Sequence, residues 1–164
     1  MVLLRIVRRT RRYDFILSTM HRVERSVLLP YTAAQMFELV AAVRDYPSFL
    51  PWCAATHVRP RRDGLIEATI EIHYRGVRSR FTTCNENRTP DSIRMTLVDG
   101  PFRRLTGDWQ FRPLREDACK VHLNLHYDFA PGLLGRAIAP VFEGIAGSLV
   151  DSFTRRAEAL YEVS

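Results

Sequence analysis

The sequence has none of the short fingerprints by which a chain grips a nucleotide or arms a nucleophile. There is no P-loop, no Rossmann G-x-G-x-x-G run and no G-x-S-x-G elbow, so nucleotide chemistry of those kinds and elbow-type serine hydrolysis drop out. Cysteine is scarce. Cys53, Cys84 and Cys119 are odd in number, widely spaced and without a C-x-x-C pair, which argues against a zinc site or a dithiol redox centre. Reduced, buried thiols of a cytosolic protein are the expectation. No apolar run approaches the roughly 18 residues of a bilayer-spanning helix, so the chain is expected in the cytoplasm, with at most a peripheral contact at the inner membrane.

What is present fits one domain. The 164 residues are 46% hydrophobic and 26% charged, enough to bury a full core and leave room for a cavity. The charge is unevenly placed. Residues 1–19 hold Arg5, Arg8, Arg9, Arg11 and Arg12 against Asp14, a net +4 out of +6 for the chain, so residues 20–164 are nearly neutral. DNA binding, which wants a basic stripe on the domain itself, is not expected. The Arg-rich extension, residues 1–19, lacks the apolar core and cleavage site of a secretory signal. It reads as an over-long start or a disordered basic arm ahead of a domain spanning residues 20–164.

Periodicity predicts the elements. Val23 to Leu28 reads as a strand ended by Pro30, and Thr32-Ala33-Ala34-Gln35 is a capping box that opens a helix through Met36, Phe37, Leu39, Val40 and Val43. Tyr46-Pro47 ends that helix. Ile66, Ala68, Ile70, Ile72 and Tyr74 alternate with Glu67, Thr69, Glu71 and His73, the period of a strand wet on one face. After a turn at Gly76, similar alternation recurs from Val77, Ile93, Leu105 and Val121, giving an antiparallel meander. Leu134, Ile138, Val141, Ile145, Leu149, Phe153, Ala157 and Leu160 then mark a long helix, which Pro140 should kink or divide. The predicted fold class is α+β: a curved antiparallel sheet wrapped around a long C-terminal helix.

Candidates for chemistry are few. Glu67, Glu71 and His73 share a strand's wet face, His122 and His126 share another, and neither group has clearly placed partners for metal ligation. Large apolar residues in connecting segments, Phe49, Leu50, Trp52 and Phe102, point to a cavity mouth or to core packing. Gly135, Ala137, Ala139, Gly144, Ala146 and Gly147 leave one stretch of the long helix short of bulk, which suits either a ligand or close helix–sheet packing.

Three stretches together are distinctive: Pro30-Tyr31-Thr32-Ala33-Ala34-Gln35-Met36-Phe37, Tyr46-Pro47-Ser48-Phe49-Leu50-Pro51-Trp52-Cys53, and Leu97-Val98-Asp99-Gly100-Pro101-Phe102-Arg103-Arg104-Leu105 followed by Gly107, Trp109 and Phe111. With Phe153-Thr154-Arg155-Arg156-Ala157, they resemble the polyketide cyclase/START-like (SRPBCC) coenzyme Q-binding family over about residues 21–163. The Leu-Val-Asp-Gly-Pro-Phe run is most similar to the bacterial branch named for the ribosome association toxin RatA. The resemblance implies a helix-grip (START/Bet v 1-like) fold, no catalysis, and ubiquinone held as a ligand in support of cellular respiration. The branch name implies binding to the large ribosomal subunit and a block on subunit association.

Two expectations follow. In the first, a ubiquinone or similar isoprenoid lipid lies against Phe49, Leu50, Trp52, Leu97, Phe102, Trp109, Tyr127, Val141 and Ile145, with burial of its tail, at about 25 cal/mol per Å², supplying the affinity. In the second, Arg78, Arg80, Arg94, Arg103, Arg104 and Arg112 contact ribosomal phosphates. The near-neutral domain favours the first. A cyclase or hydrolase in the cavity is a third, weaker expectation, because kinship of fold does not establish activity.

Overall fold

The computed structural model describes residues 20–162; the arginine-rich extension lies outside them. Thr32 caps the first helix as its spacing predicts. Its backbone N–H donates to Gln35 Oε1 at 2.8 Å and the Gln35 N–H donates to Thr32 Oγ1 at 3.1 Å, satisfying two donors that helix geometry leaves free. That helix, α1, runs Ala33–Ala41 and follows strand β1, His21–Leu29. It ends before Val43, and Val43–Ser48 continues as a 3-10 helix with Pro47 inside it.

The rest is sheet and one helix. Strands β2 (Cys53–Pro60), β3 (Ile66–Tyr74), β4 (Val77–Arg88), β5 (Ser92–Asp99), β6 (Phe102–Arg115) and β7 (Ala118–Phe129) form a meander. β1 pairs with β7, so the antiparallel order is β1-β7-β6-β5-β4-β3-β2. β3 and β4 meet through a two-residue turn in which Arg75 and Gly76 both have positive φ, 50° and 77°, the geometry whose twist matches a hairpin. Helix α2, Leu133–Tyr161, crosses the inner face and buries Ile138, Phe142, Ile145, Ala146, Val150, Phe153 and Ala157. The predicted helix-grip architecture is the observed one.

Two details differ from expectation. Pro140 does not divide α2: it is exposed within an unbroken helix, where it removes one backbone hydrogen bond from the ladder. The buried stripe of α2 keeps the predicted Ile138, Ile145, Phe153 and Ala157 but departs from the prediction at its flank and ends. Phe142, Ala146 and Val150 are buried, while Leu134 and Leu160 are 61% and 45% exposed, because a stripe taken mostly at intervals of four drifts off a face that repeats every 3.6 residues.

Candidate ligand cavity

The sheet's inner face and α2 do not meet everywhere. Between them lies a cavity of about 70 Å³. Ala68, Phe81, Leu105 and Leu125 line it from the strands, Phe142, Ile145 and Phe153 from α2, and Val43, Tyr46 and Trp52 from the segment after α1. Gly107 is part of the wall because a Cβ there would strike Met95 Cε and lie 3.2 Å from Leu125 Cδ1. Trp109, 2% exposed, closes one side and meets Phe153 edge-on at 5.5 Å.

The wall is apolar except at β4. Thr83 and Asn85, 4% and 6% exposed, face the cavity, and Thr83 Oγ1 donates to Asn85 Oδ1 at 2.7 Å. Pairing places Thr83 opposite Ala68 and Asn85 opposite Ile66 and Met95. Sequence reading missed both, since a polar residue in a strand looks solvent-facing. The available signal was the period: continuing Val77, Ser79 and Phe81 by twos reaches Thr83 and Asn85.

The titratable groups nearby are held neutral. Tyr46 donates its hydroxyl to the Val40 carbonyl, and burial, then the neighbouring Cys53, pushes its ionisation far up. Burial first and Glu71 second push the Cys53 thiol up to about 11, and burial raises Cys119 as well. Neither thiol supplies a thiolate near neutral pH, the form a nucleophile or metal ligand needs. Among the described residues the three cysteines are free and no cluster of His, Cys, Asp and Glu could hold a metal. Glu67, Glu71 and His122 stand on the outer face, within 4 Å of Arg59, His57 and Glu24 respectively. Among the described residues the cavity lining is mostly apolar, and its one titratable side chain is Tyr46.

Its volume sets a limit. An engineered apolar cavity that binds benzene measures about 150 Å³, roughly twice this one, so a ring-sized ligand requires the walls to part. Trp52 marks where. It lines the cavity and also two surface clefts, one bordered by Phe49, Pro51 and Arg156, the other by Tyr74, Val141 and Gly144. Nothing lies within 4 Å of a Cβ built on Gly144, whereas one on Gly135 would strike the Ala130 carbonyl. The small residues of α2 thus serve close packing at its start and open space at its middle. Arg156 and Arg75 cover the rings of Phe49 and Tyr74 at 4.9 and 5.1 Å, giving the clefts a basic rim.

The nine residues expected at a ligand separate into groups. Trp52, Trp109 and Ile145 line the cavity, and Phe49 and Val141 line the adjoining clefts. Leu50, Phe102 and Tyr127 are buried at 1%, 6% and 2% exposure in the core behind them, where Phe102 and Tyr127 brace Phe142 at 4.7 and 4.9 Å. Leu97 is half-buried on β5, two residues beyond Met95, which lines the cavity in its place.

Residues 29–154 match the family described as polyketide cyclase / dehydrase and lipid transport. The chain belongs to that family. Among curated relatives it is 42% identical over 139 residues to the ribosome association toxin RatA of Pseudomonas aeruginosa, spanning 85% of this chain and 96% of the relative. It is 26% identical over 140 residues to the mitochondrial coenzyme Q-binding protein COQ10 homolog B of Xenopus laevis, spanning 83% of this chain and 57% of that one. Among solved structures it superposes on the Zhui aromatase/cyclase of Streptomyces sp. R1128 with a TM-score of 0.73 and 15% identity, over 85% and 94% of the two chains. That last likeness is one of fold alone.

Proposed function

We propose that this chain associates with the ribosome in the manner of the RatA branch, docking on the large subunit through the convex face of its sheet and blocking subunit association. The observation that carries this reading is its 42% identity to a ribosome association toxin across nearly the whole of both chains. It reverses the order of expectation set by the near-neutral domain charge. The convex face supplies suitable contacts. Arg78, Arg80, Arg94, Arg104 and Arg112 are all exposed, and among the described residues only Arg103 of the six expected arginines lies within 4 Å of a carboxylate, Asp128 at 3.7 Å. Arginine's planar, permanently charged fork suits phosphate.

The test is sedimentation of the purified protein with separated ribosomal subunits, followed by mixing of the subunits. Co-sedimentation with the large subunit and fewer joined ribosomes is expected. Protein that stays at the top of the gradient and leaves joining intact would sink the proposal.

The cavity supports a second reading, in which the chain binds ubiquinone or a similar isoprenoid lipid without transforming it. A mostly apolar space beside a wall residue, Trp52, that also borders surface clefts suits such a ligand, and the COQ10 relative is named for binding one. The non-enzymatic part rests on a lining whose titratable member, Tyr46, is hydrogen-bonded and held neutral. Organic extract of protein purified gently from a quinone-producing host should contain ubiquinone in stoichiometric amount. An empty protein that also fails to take up added quinone would remove this reading and leave the first standing.

A further inference from the structure

The buried Thr83–Asn85 pair is the one polar feature in an otherwise apolar wall, and it is oriented. The Thr83 hydroxyl spends its proton on Asn85 Oδ1 at 2.7 Å, which fixes the amide plane and leaves the Asn85 N–H₂ as the available donor. Asn85 is 6% exposed and lines the cavity, and among the described residues no other side-chain hydrogen bond engages it. The polar character continues along the same inner face to Asn87, whose buried Oδ1 has no hydrogen-bond partner among the described residues. A dry core would hold hydrophobic residues at these places. An amide N–H₂ turned into an apolar space favours a ligand that accepts from it over one that leaves it unpaired.

We infer that Asn85 is the specificity group of the cavity, donating an N–H to a carbonyl oxygen on the ring of an otherwise apolar ligand, with Thr83 as its positioning residue. The inference rests on the cavity reading above and names what that reading leaves open: the ligand must carry a hydrogen-bond acceptor at the end that reaches β4, as a quinone or aryl ketone does and a plain hydrocarbon does not. Thr83 matters because it sets which end of the amide faces the ligand. With Oδ1 engaged by Thr83, the Asn85 N–H₂ is the group left to donate, so the site prefers a ligand that carries an acceptor to one that carries none. A pocket that binds by area alone distinguishes such molecules weakly, whereas one with a buried donor rejects the molecule that leaves it unpaired.

The experiment titrates the full chain by calorimetry with decylubiquinone and with a decyl-substituted benzene that lacks the carbonyls, for the wild type, Asn85→Leu and Thr83→Val. The wild type should bind the quinone more tightly than the hydrocarbon. Asn85→Leu should weaken quinone binding about 5- to 150-fold, the range of an unpaired buried polar group, while binding the hydrocarbon as well as or better than the wild type. That retained binding shows the variant's cavity is folded. Thr83→Val should narrow the preference for quinone by a smaller factor, because the amide can then turn. Equal loss of both ligands in Asn85→Leu, or undiminished quinone affinity, overturns the assignment while the cavity reading survives. A wild type that binds neither compound overturns both.

Discussion

If the five exposed arginines of the convex face contact phosphates, the salt dependence of ribosome binding is fixed in advance. Each neutralised phosphate contributes roughly 0.7 to 0.9 to the slope of log affinity against log salt. Arg78, Arg80, Arg94, Arg104 and Arg112 therefore predict a slope of about −3.5 to −4.5, a loss of roughly 130- to 500-fold between 50 and 200 mM salt. Changing Arg94, Arg104 and Arg112 to Gln leaves two contacts, and the same salt step should then cost only about 7- to 12-fold. All three side chains are exposed, so folding stability should move by no more than about 0.5 kcal/mol. Affinity is read by fluorescence anisotropy of labelled protein titrated with large subunits at four salt concentrations. A wild-type slope near zero, or one shared by the triple variant, refutes the placement of phosphate contacts on this face.

Other consequences concern the cavity and the core. Phe142, 4% exposed, is the aromatic that Phe102 and Tyr127 brace against the cavity; Phe142→Ala should cost about 3 to 5 kcal/mol in urea unfolding, and benzene, by filling the enlarged void, should recover part of it. Gly107→Ala pushes a methyl toward Met95, whose flexible end can yield, and toward Leu125 at 3.2 Å; it should cost about 1 kcal/mol and reduce the quinone recovered in organic extract. Alkali should destabilise the fold. The Cys53 thiol is pushed from 9.0 up to about 11, and Tyr46, Cys119 and Tyr127 move the same way, chiefly through burial. The unfolded chain loses these protons first, so the contribution of Cys53 is complete below about pH 9 and disappears as pH rises to about 11, with the other three groups acting in the same direction. For Cys53 alone that is about 2 to 3 kcal/mol, and urea midpoints that do not move between pH 8.5 and 10.5 would contradict it.

The architecture was legible because local signals agreed with the global arrangement. The alternation from Ile66 to Tyr74 became β3, and the box at Thr32 and Gln35 became a working cap. The site was less legible, for a physical reason: sequence shows that a residue is apolar, not which of two apolar environments it enters. Leu50, Phe102 and Tyr127 carry the same signal as Trp52 and Trp109, yet they pack behind the wall. What separates them is the position of α2, set by contacts distant in sequence such as the Tyr161 hydroxyl donating to the Gln35 carbonyl at 3.3 Å. Thr83 and Asn85 were hidden for the opposite reason. Polar residues inside a strand imitate the wet face, although the period of two carried on from Phe81 reaches both of them without a break.

The two proposed activities use opposite sides of one sheet. Because side chains alternate along a strand, three of the five proposed phosphate-contacting arginines adjoin a cavity residue in sequence: Arg80 beside Phe81, Arg94 beside Met95, Arg104 beside Leu105. Neighbours in the chain thus serve different partners with the backbone ladder between them. Side-chain changes that leave the ladder intact should divide cleanly. The arginine triple variant should bind quinone as the wild type does, and Gly107→Ala, which alters the inner face alone, should keep the full salt slope on ribosomes. If one substitution removed both activities without unfolding the domain, the two partners would share a surface. The groove at Trp52, where Arg75, Arg155 and Arg156 border the clefts, would then have to replace the convex face as the ribosome contact.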